Sequence, residues 1–134
     1  MKYLGIDYGT VRIGTAISDA LGIIANPLKT IPNNEKAIAV INDIINQEKI
    51  AAIVMGLPKH MNNDEGEKAM QVREFASLLP PHIKVYYQDE RLTTRQAQTV
   101  LINANVKRQE RKKVIDQMAA TIILQTFLDS NSKL

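Results

Sequence analysis

The chain has 134 residues, 45% hydrophobic and 23% charged, with no cysteine, two histidines and a formal charge of +3. This is the size and balance of one soluble globular domain spanning 1–134, and the lack of cysteine excludes disulfides, zinc–thiolate sites and thiol nucleophiles. A metal would be held mainly by carboxylates, which favours Mg²⁺ or Mn²⁺, and with no membrane-length apolar run and no secretory signal a cytoplasmic location is expected.

The first stretch, Leu4 to Asp19, reads as a hydrophobic strand, a glycine turn and a second strand returning beside the first. The pair is expected over Tyr3–Asp7 and Ile13–Ser18. Asp7 lies between Ile6 and Tyr8, where a purely structural strand prefers an apolar or β-branched residue. A buried carboxylate is costly unless something cationic meets it. The plainer alternative is an Asp that caps the turn through its side chain. Against that stand Gly9 and Gly14, which let a ligand approach the backbone, and Arg12, a bidentate phosphate donor near the turn. Together these residues suggest a metal and a phosphate.

A third strand is expected between Ile23 and Ile31, at an edge because Pro27 interrupts it. Pro32-Asn33-Asn34 breaks the chain and offers an N-cap. Ile38, Ile41, Ile44 and Ile45 then recur at helical spacing, predicting a helix over Glu35–Glu48. The continuous apolar run Ala51–Met55 is the mark of a strand buried on both faces, joined in parallel to the first by a right-handed crossover. After the polar loop Gly56–Asn63 a helix is expected from Asp64 to Leu79, with Met70, Phe75, Leu78 and Leu79 inward. Pro80-Pro81 stops it. Lys84–Gln88 is the fifth strand. A Thr93-x-x-Gln96 capping box opens a helix to Ala104, and the longest helix covers Glu110–Leu128. The order β-β-β-α-β-α-β-α-α implies an α/β fold, a mixed sheet with helices on both faces.

Acids fall where this topology can gather them: Asp7 on the first strand, Asp89 and Glu90 at the carboxyl end of the last, and Asp116 inside the final helix. Ligands of such sheets bind beyond the carboxyl ends of the parallel strands. Ala119 and Ala120 let the last helix approach the sheet closely. Gathered carboxylates repel one another unless divalent cations join them, which is the arrangement of two-metal phosphodiester hydrolysis. The alternatives are a helical Asp116–Lys112 pair and a surface Asp89 or a partner for Arg91.

Charge is uneven. From Arg91 onward there are eight Lys/Arg against three Asp/Glu, and before it nine against eleven. Lys107, Arg108, Arg111, Lys112 and Lys113 form a run suited to gripping a nucleic-acid backbone without sequence choice, or else a solvated helix entry. Aromatic content of 4% and no Trp point away from base stacking and towards duplex or structured nucleic acid. The loop after Gly56 carries Lys59 and His60, placed where substrate contacts are made, although a lone loop histidine is more often a surface residue.

Four blocks resemble the YqgF family: Asp7-Tyr8-Gly9-Thr10-Val11-Arg12-Ile13-Gly14, Gly56-Leu57-Pro58, Asp89-Glu90-Arg91-Leu92-Thr93-Thr94 with Ala97, and Lys113-Val114-Ile115-Asp116-Gln117-Met118-Ala119-Ala120. Members of this family are described as Holliday-junction-resolvase-like proteins and as pre-16S rRNA nucleases. The resemblance spans nearly the whole chain. It implies a ribonuclease H-like fold with sheet order 3-2-1-4-5, and maturation of the 5′ end of 16S rRNA in the bacterial cytoplasm. It also implies Asp7, Glu90 and Asp116 as the acidic, metal-holding triad. Gly9, Thr10, Arg12, Lys59, His60, Arg91 and the basic run are the expected substrate contacts. The loop departs from the family pattern, with Lys59-His60-Met61-Asn62-Asn63 in place of an Asn-Met-Asp-Gly-like run. Relative to resolvases of this fold, the second acid sits on the last strand, a further 4.8 Å or so from Asp7.

Three readings follow. The first is a Mg²⁺- or Mn²⁺-dependent nuclease on structured RNA, pre-16S rRNA above all, working as a monomer or weak dimer without a membrane. The second is the same chemistry on branched DNA, which needs a dimer to supply two sites. The third is a non-catalytic nucleic-acid-binding factor in transcription or translation. A sugar-kinase or actin-like phosphate loop is set aside, because those folds close two domains around the nucleotide.

Overall fold

The computed structural model describes residues 1–57, 66–89 and 108–131, and the side chains of these except 108–117 and 131. Five strands, β1 (Tyr3–Tyr8), β2 (Arg12–Ser18), β3 (Ala25–Pro32), β4 (Ala52–Leu57) and β5 (Lys84–Asp89), form one sheet in the order β3-β2-β1-β4-β5. β1, β2 and β3 are antiparallel, whereas β1–β4 and β4–β5 are parallel. This is the mixed sheet the resemblance implies. Three helices are described: α1 (Ala37–Glu48), α2 (Glu67–Ala76) and α3 (Arg108–Asn131). The expected helix over 93–104 lies outside the described residues.

Strand alternation sends side chains to two layers. Leu4, Ile6, Ile13, Ile53 and Met55 face α1 and α2, joining Ile41, Ile44, Ile45, Val72 and Phe75. Ala16 and Val54 face α3, joining Ala120, Ile123, Leu124, Phe127 and Leu128. Every residue of β4 is buried, as a central strand covered on both faces requires. Burying a side chain the size of Ile53 or Ile123 stabilises the fold by about 1.5–3 kcal/mol each.

Two elements depart from expectation. α1 starts at Ala37, because Asn34 first makes a turn of its own: its side-chain oxygen accepts the Lys36 N–H at 2.9 Å and its carbonyl the Ala37 N–H at 3.1 Å. α2 is shorter than expected, and Met70 and Leu78 are 67% and 63% exposed instead of inward. Its buried stripe is Ala69, Val72 and Phe75, followed by Leu79, at spacings of three and four.

The β2–β3 pairing carries a bulge. Ala16 faces Pro27 and Gly14 faces Thr30, so two β3 residues, Leu28 and Lys29, stand opposite Thr15 alone. The buried Thr15 hydroxyl fills the irregularity, donating to the Lys29 carbonyl at 2.6 Å and accepting the Lys29 N–H at 3.1 Å. The extra residue shifts the alternation of β3. Leu28 and Ile31 then reach the α1–α2 core, and Thr30 falls on the α3 face beside Gly14.

Candidate functional site

Asp7 is half-buried on the α3 face, near the carboxyl end of β1. Its β2 partner is Gly14. On the other side Ile6 pairs with Met55, so the next β4 position beside Asp7 is Gly56, which itself pairs with Gln88 of β5. The carboxylate therefore stands on a strip where both neighbouring strands carry no side chain. By alternation Arg12 lies on the same face, exposed, opposite Pro32. Thr30 completes the row, and its hydroxyl oxygen is buried without a hydrogen-bond partner. No signal in the sequence marked Thr30, because the bulge that turns it to this face has no glycine or proline at its centre.

Gly5, two residues before Asp7 on the same face, explains how α3 sits. A Cβ at Gly5 would stand 2.8 Å from the Leu124 Cβ and 3.0 Å from the Ala120 carbonyl oxygen. Real Cβ atoms do not come so close, so this glycine lets the helix lie on the strand. The close approach expected from Ala119 and Ala120 is thus made jointly by Ala120 and a glycine the sequence reading left unused. Tyr3 meets Phe127 edge-on with ring centroids 5.8 Å apart. As β1 runs from Tyr3 to Gly5, the contacts on α3 run back from Phe127 to Leu124 and Ala120.

Gly9 serves the turn itself, since a side chain there would collide with the Arg12 carbonyl oxygen. The Gly9 carbonyl accepts the Asn33 side-chain amide at 2.7 Å, tying the turn to the segment before α1. Thr10 is exposed and lines a cavity on the far face of the sheet from Asp7. Asp89 ends β5 on that far face too, in alternation with Val85 and Tyr87, which pack on the α1–α2 core. Arg108, Arg111, Lys112, Lys113 and Asp116 lie on α3 with only their backbone described. Asp116 precedes Ala120 by four residues along α3. Lys59, His60, Glu90, Arg91 and Lys107 lie outside the described residues. Among the described residues no three His, Asp or Glu side chains gather as a metal group; of the expected triad only the Asp7 side chain is described.

Comparison with known proteins agrees with this architecture. A family model described as "RuvX: Holliday junction resolvase" matches residues 1–130. A Lactococcus lactis protein named "Putative pre-16S rRNA nuclease" is 44% identical over 137 residues, covering 98% of this chain and 96% of its own. A Limosilactobacillus fermentum protein of the same name is 42% identical over 141 residues, covering 100% and 97%. Among solved structures, the fowlpox virus Holliday junction resolvase superposes with a TM-score of 0.54 at 12% identity, covering 97% of this chain and 99% of its own. That likeness shows a shared resolvase-type, ribonuclease H-like fold. No described helix is long and apolar enough to cross a membrane.

Proposed function

The chain belongs to the RuvX family, the family its motifs resemble under the name YqgF, and from that membership and the strip around Asp7 we propose a metal-dependent nuclease acting on structured RNA. Its proposed task is to mature the 5′ end of 16S rRNA from its precursor, in keeping with the names of its relatives. The observation that carries the reading is the running register between β1 and α3. Tyr3 meets Phe127, and Gly5 meets Leu124 and Ala120. Two further strand residues advance about 6.7 Å, which a helix covers in between four and five residues. Counted back from the Ala120–Leu124 turn that lies over Gly5, this reaches residues 115–120, which supports Asp7 opposite the turn of α3 that carries Asp116. Asp89 is directed to the other face, so we assign the second acid of the Asp89-Glu90 pair to Glu90.

The residues fit a hard divalent cation. Asp7 supplies an oxygen donor on a half-buried surface with glycines to either side, and the chain has no cysteine to favour a softer metal. Asp7, Glu90 and Asp116 would hold Mg²⁺ or Mn²⁺, which supplies an activated water and neutralises charge on the leaving oxygen. The rest is positioning. Arg12 offers two parallel N–H donors to a phosphate on the face that carries Asp7. The Thr30 hydroxyl adds a neutral donor along the same row. Lys107, Arg108, Arg111, Lys112 and Lys113 hold the flanking backbone, and Lys59, His60 and Arg91 extend that grip beyond the sheet edge.

The test offers the full chain a 5′-extended 16S rRNA fragment and a four-way DNA junction, each with Mg²⁺ and with excess chelator. Chelator-sensitive cutting of the RNA at its mature 5′ end is expected. Cutting of the junction alone would move the substrate to branched DNA, as the family description allows. Tight binding of both with no cutting of either would make the protein a non-catalytic binding factor.

A further inference from the structure

On the sheet face away from α3, the carboxyl end of β1, the segment entering α1 and one flank of α2 enclose a cavity of about 590 Å³. Its floor is aromatic: the Tyr8 and Phe75 rings lie 4.9 Å apart, tilted by 44°. Gln71 and Glu74 of α2 form one wall together with Leu78 beyond the helix end, spaced so that all three face one side. Glu35 stands in the opposite wall. That wall is held in place by Asn33, whose side chain bonds the Gly9 carbonyl and whose N–H bonds the Val11 carbonyl at 3.0 Å. Leu78 is 63% exposed at the mouth, an apolar side chain left in water beside a ready-made hollow.

The chemistry of this lining selects its occupant. Two carboxylates, three carboxamides and two aromatic rings, with no Lys or Arg among the described lining residues, repel a phosphate and accept N–H donors above a stacking surface. The volume lies in the range of small-ligand sites and leaves room for a nucleobase. Tyr8 directly follows Asp7, and successive strand side chains point to opposite faces. The cavity thus opens on the opposite face at the same carboxyl end of β1 as Asp7, within reach of a nucleotide next to the one being cut. A basic run grips a backbone without choosing sequence, whereas a maturation nuclease has to choose its position. RNA is read at unpaired bases, by stacking and by hydrogen bonds to their edges.

We infer that this cavity is a base-reading subsite that takes an unpaired guanine adjacent to the phosphodiester at Asp7, stacked on Tyr8 and Phe75, with the Glu74 carboxylate accepting its N1–H and N2–H. Guanine is the natural base that presents those two donors side by side to a single carboxylate. The inference rests on the nuclease reading for its role, but base binding is measurable without cleavage.

The experiment uses the full-length chain carrying Asp7→Asn, labelled for NMR and titrated with guanosine, adenosine, cytidine, uridine and N-acetylarginine amide. Guanosine is expected to shift the amides of Tyr8, Gln71 and Glu74 and to bind about tenfold more tightly than the other nucleosides, with the preference lost in Glu74→Gln. Four nucleosides binding alike, a guanosine preference unchanged by Glu74→Gln, or arginine amide binding while no nucleoside does would each overturn it. In the chain with Asp7 intact, Glu74→Gln is expected to erase discrimination between RNAs with guanosine or adenosine beside the cut while keeping the metal requirement. Guanosine binding in a chain that cuts no RNA would uphold the base site and overturn the nuclease reading. Cutting without any base binding would do the reverse.

Discussion

Gly5 of β1 lies directly under Leu124 of α3, so close that a single added methyl group would stand 2.8 Å from the Leu124 Cβ. That contact sets the height of the helix over the strand, and the proposed approach of Asp116 to Asp7 lies about two turns back along α3. Gly5→Ala is therefore expected to lift α3, lowering stability by about 1–3 kcal/mol through overpacking. Thermal unfolding reads the loss. Cleavage is expected to fall further than the unfolded fraction accounts for, since the displaced helix carries one of the proposed acids.

Thr15 fills the β2–β3 bulge with two hydrogen bonds to Lys29. Thr15→Val keeps the shape and strands both backbone groups, at a cost of about 1–3 kcal/mol. Denaturant unfolding checks it. The bulge also turns Thr30 towards the strip beside Asp7, so the same variant is expected to weaken RNA binding, which a filter-binding titration would show.

Asp19 caps the turn between β2 and β3. One of its oxygens accepts the Ile23 N–H at 2.7 Å and the Ile24 N–H at 3.1 Å. These bonds, the Ile23 bond first, hold its carboxyl below the ordinary aspartate value of 3.8. The folded state then binds the proton less readily than the unfolded chain. The turn's contribution is complete above the ordinary value and is lost as pH falls through the lowered one. An NMR titration is expected to give Asp19 a midpoint below 3.8, and the pH dependence of unfolding in that window is expected to flatten in Asp19→Asn.

Lys112 and Lys113 lie in the second turn of α3. Changing both to Gln is expected to weaken RNA binding uniformly across sequences. The slope of log affinity against log salt should fall by about 1.4–1.8 if both contact phosphates. An unchanged slope would make them part of a solvated helix surface.

The central strands were legible because burial on both faces leaves β4 as an uninterrupted apolar run, Ile53-Val54-Met55, and because Asp7 interrupts an otherwise apolar strand. The α2 stripe was misread for a physical reason. Phe75 and Leu79 are inward as expected, but between and before them the stripe runs through small Ala69 and Val72 while the larger Met70 and Leu78 stay outside, so size misled at those two positions. Gly5 looked like an ordinary strand residue until the helix lay over it, because a glycine chosen for a long-range contact carries no local mark. The bulge at Thr15 was invisible for the same reason: it is a fact about two strands read together. The basic run and Asp116 were legible as composition and helical spacing, while their side chains lie outside the described residues.

The most direct measurement is calorimetric titration of Mn²⁺ into the full-length protein and into Asp7→Asn, Glu90→Gln and Asp116→Asn, each checked for an unchanged circular dichroism spectrum. Stoichiometric binding is expected, weakened at least about tenfold by each substitution, as for a site whose ligands are shared. Equal Mn²⁺ affinity in all four folded proteins, or none in the unsubstituted chain, would contradict the claim that these acids meet on the α3 face.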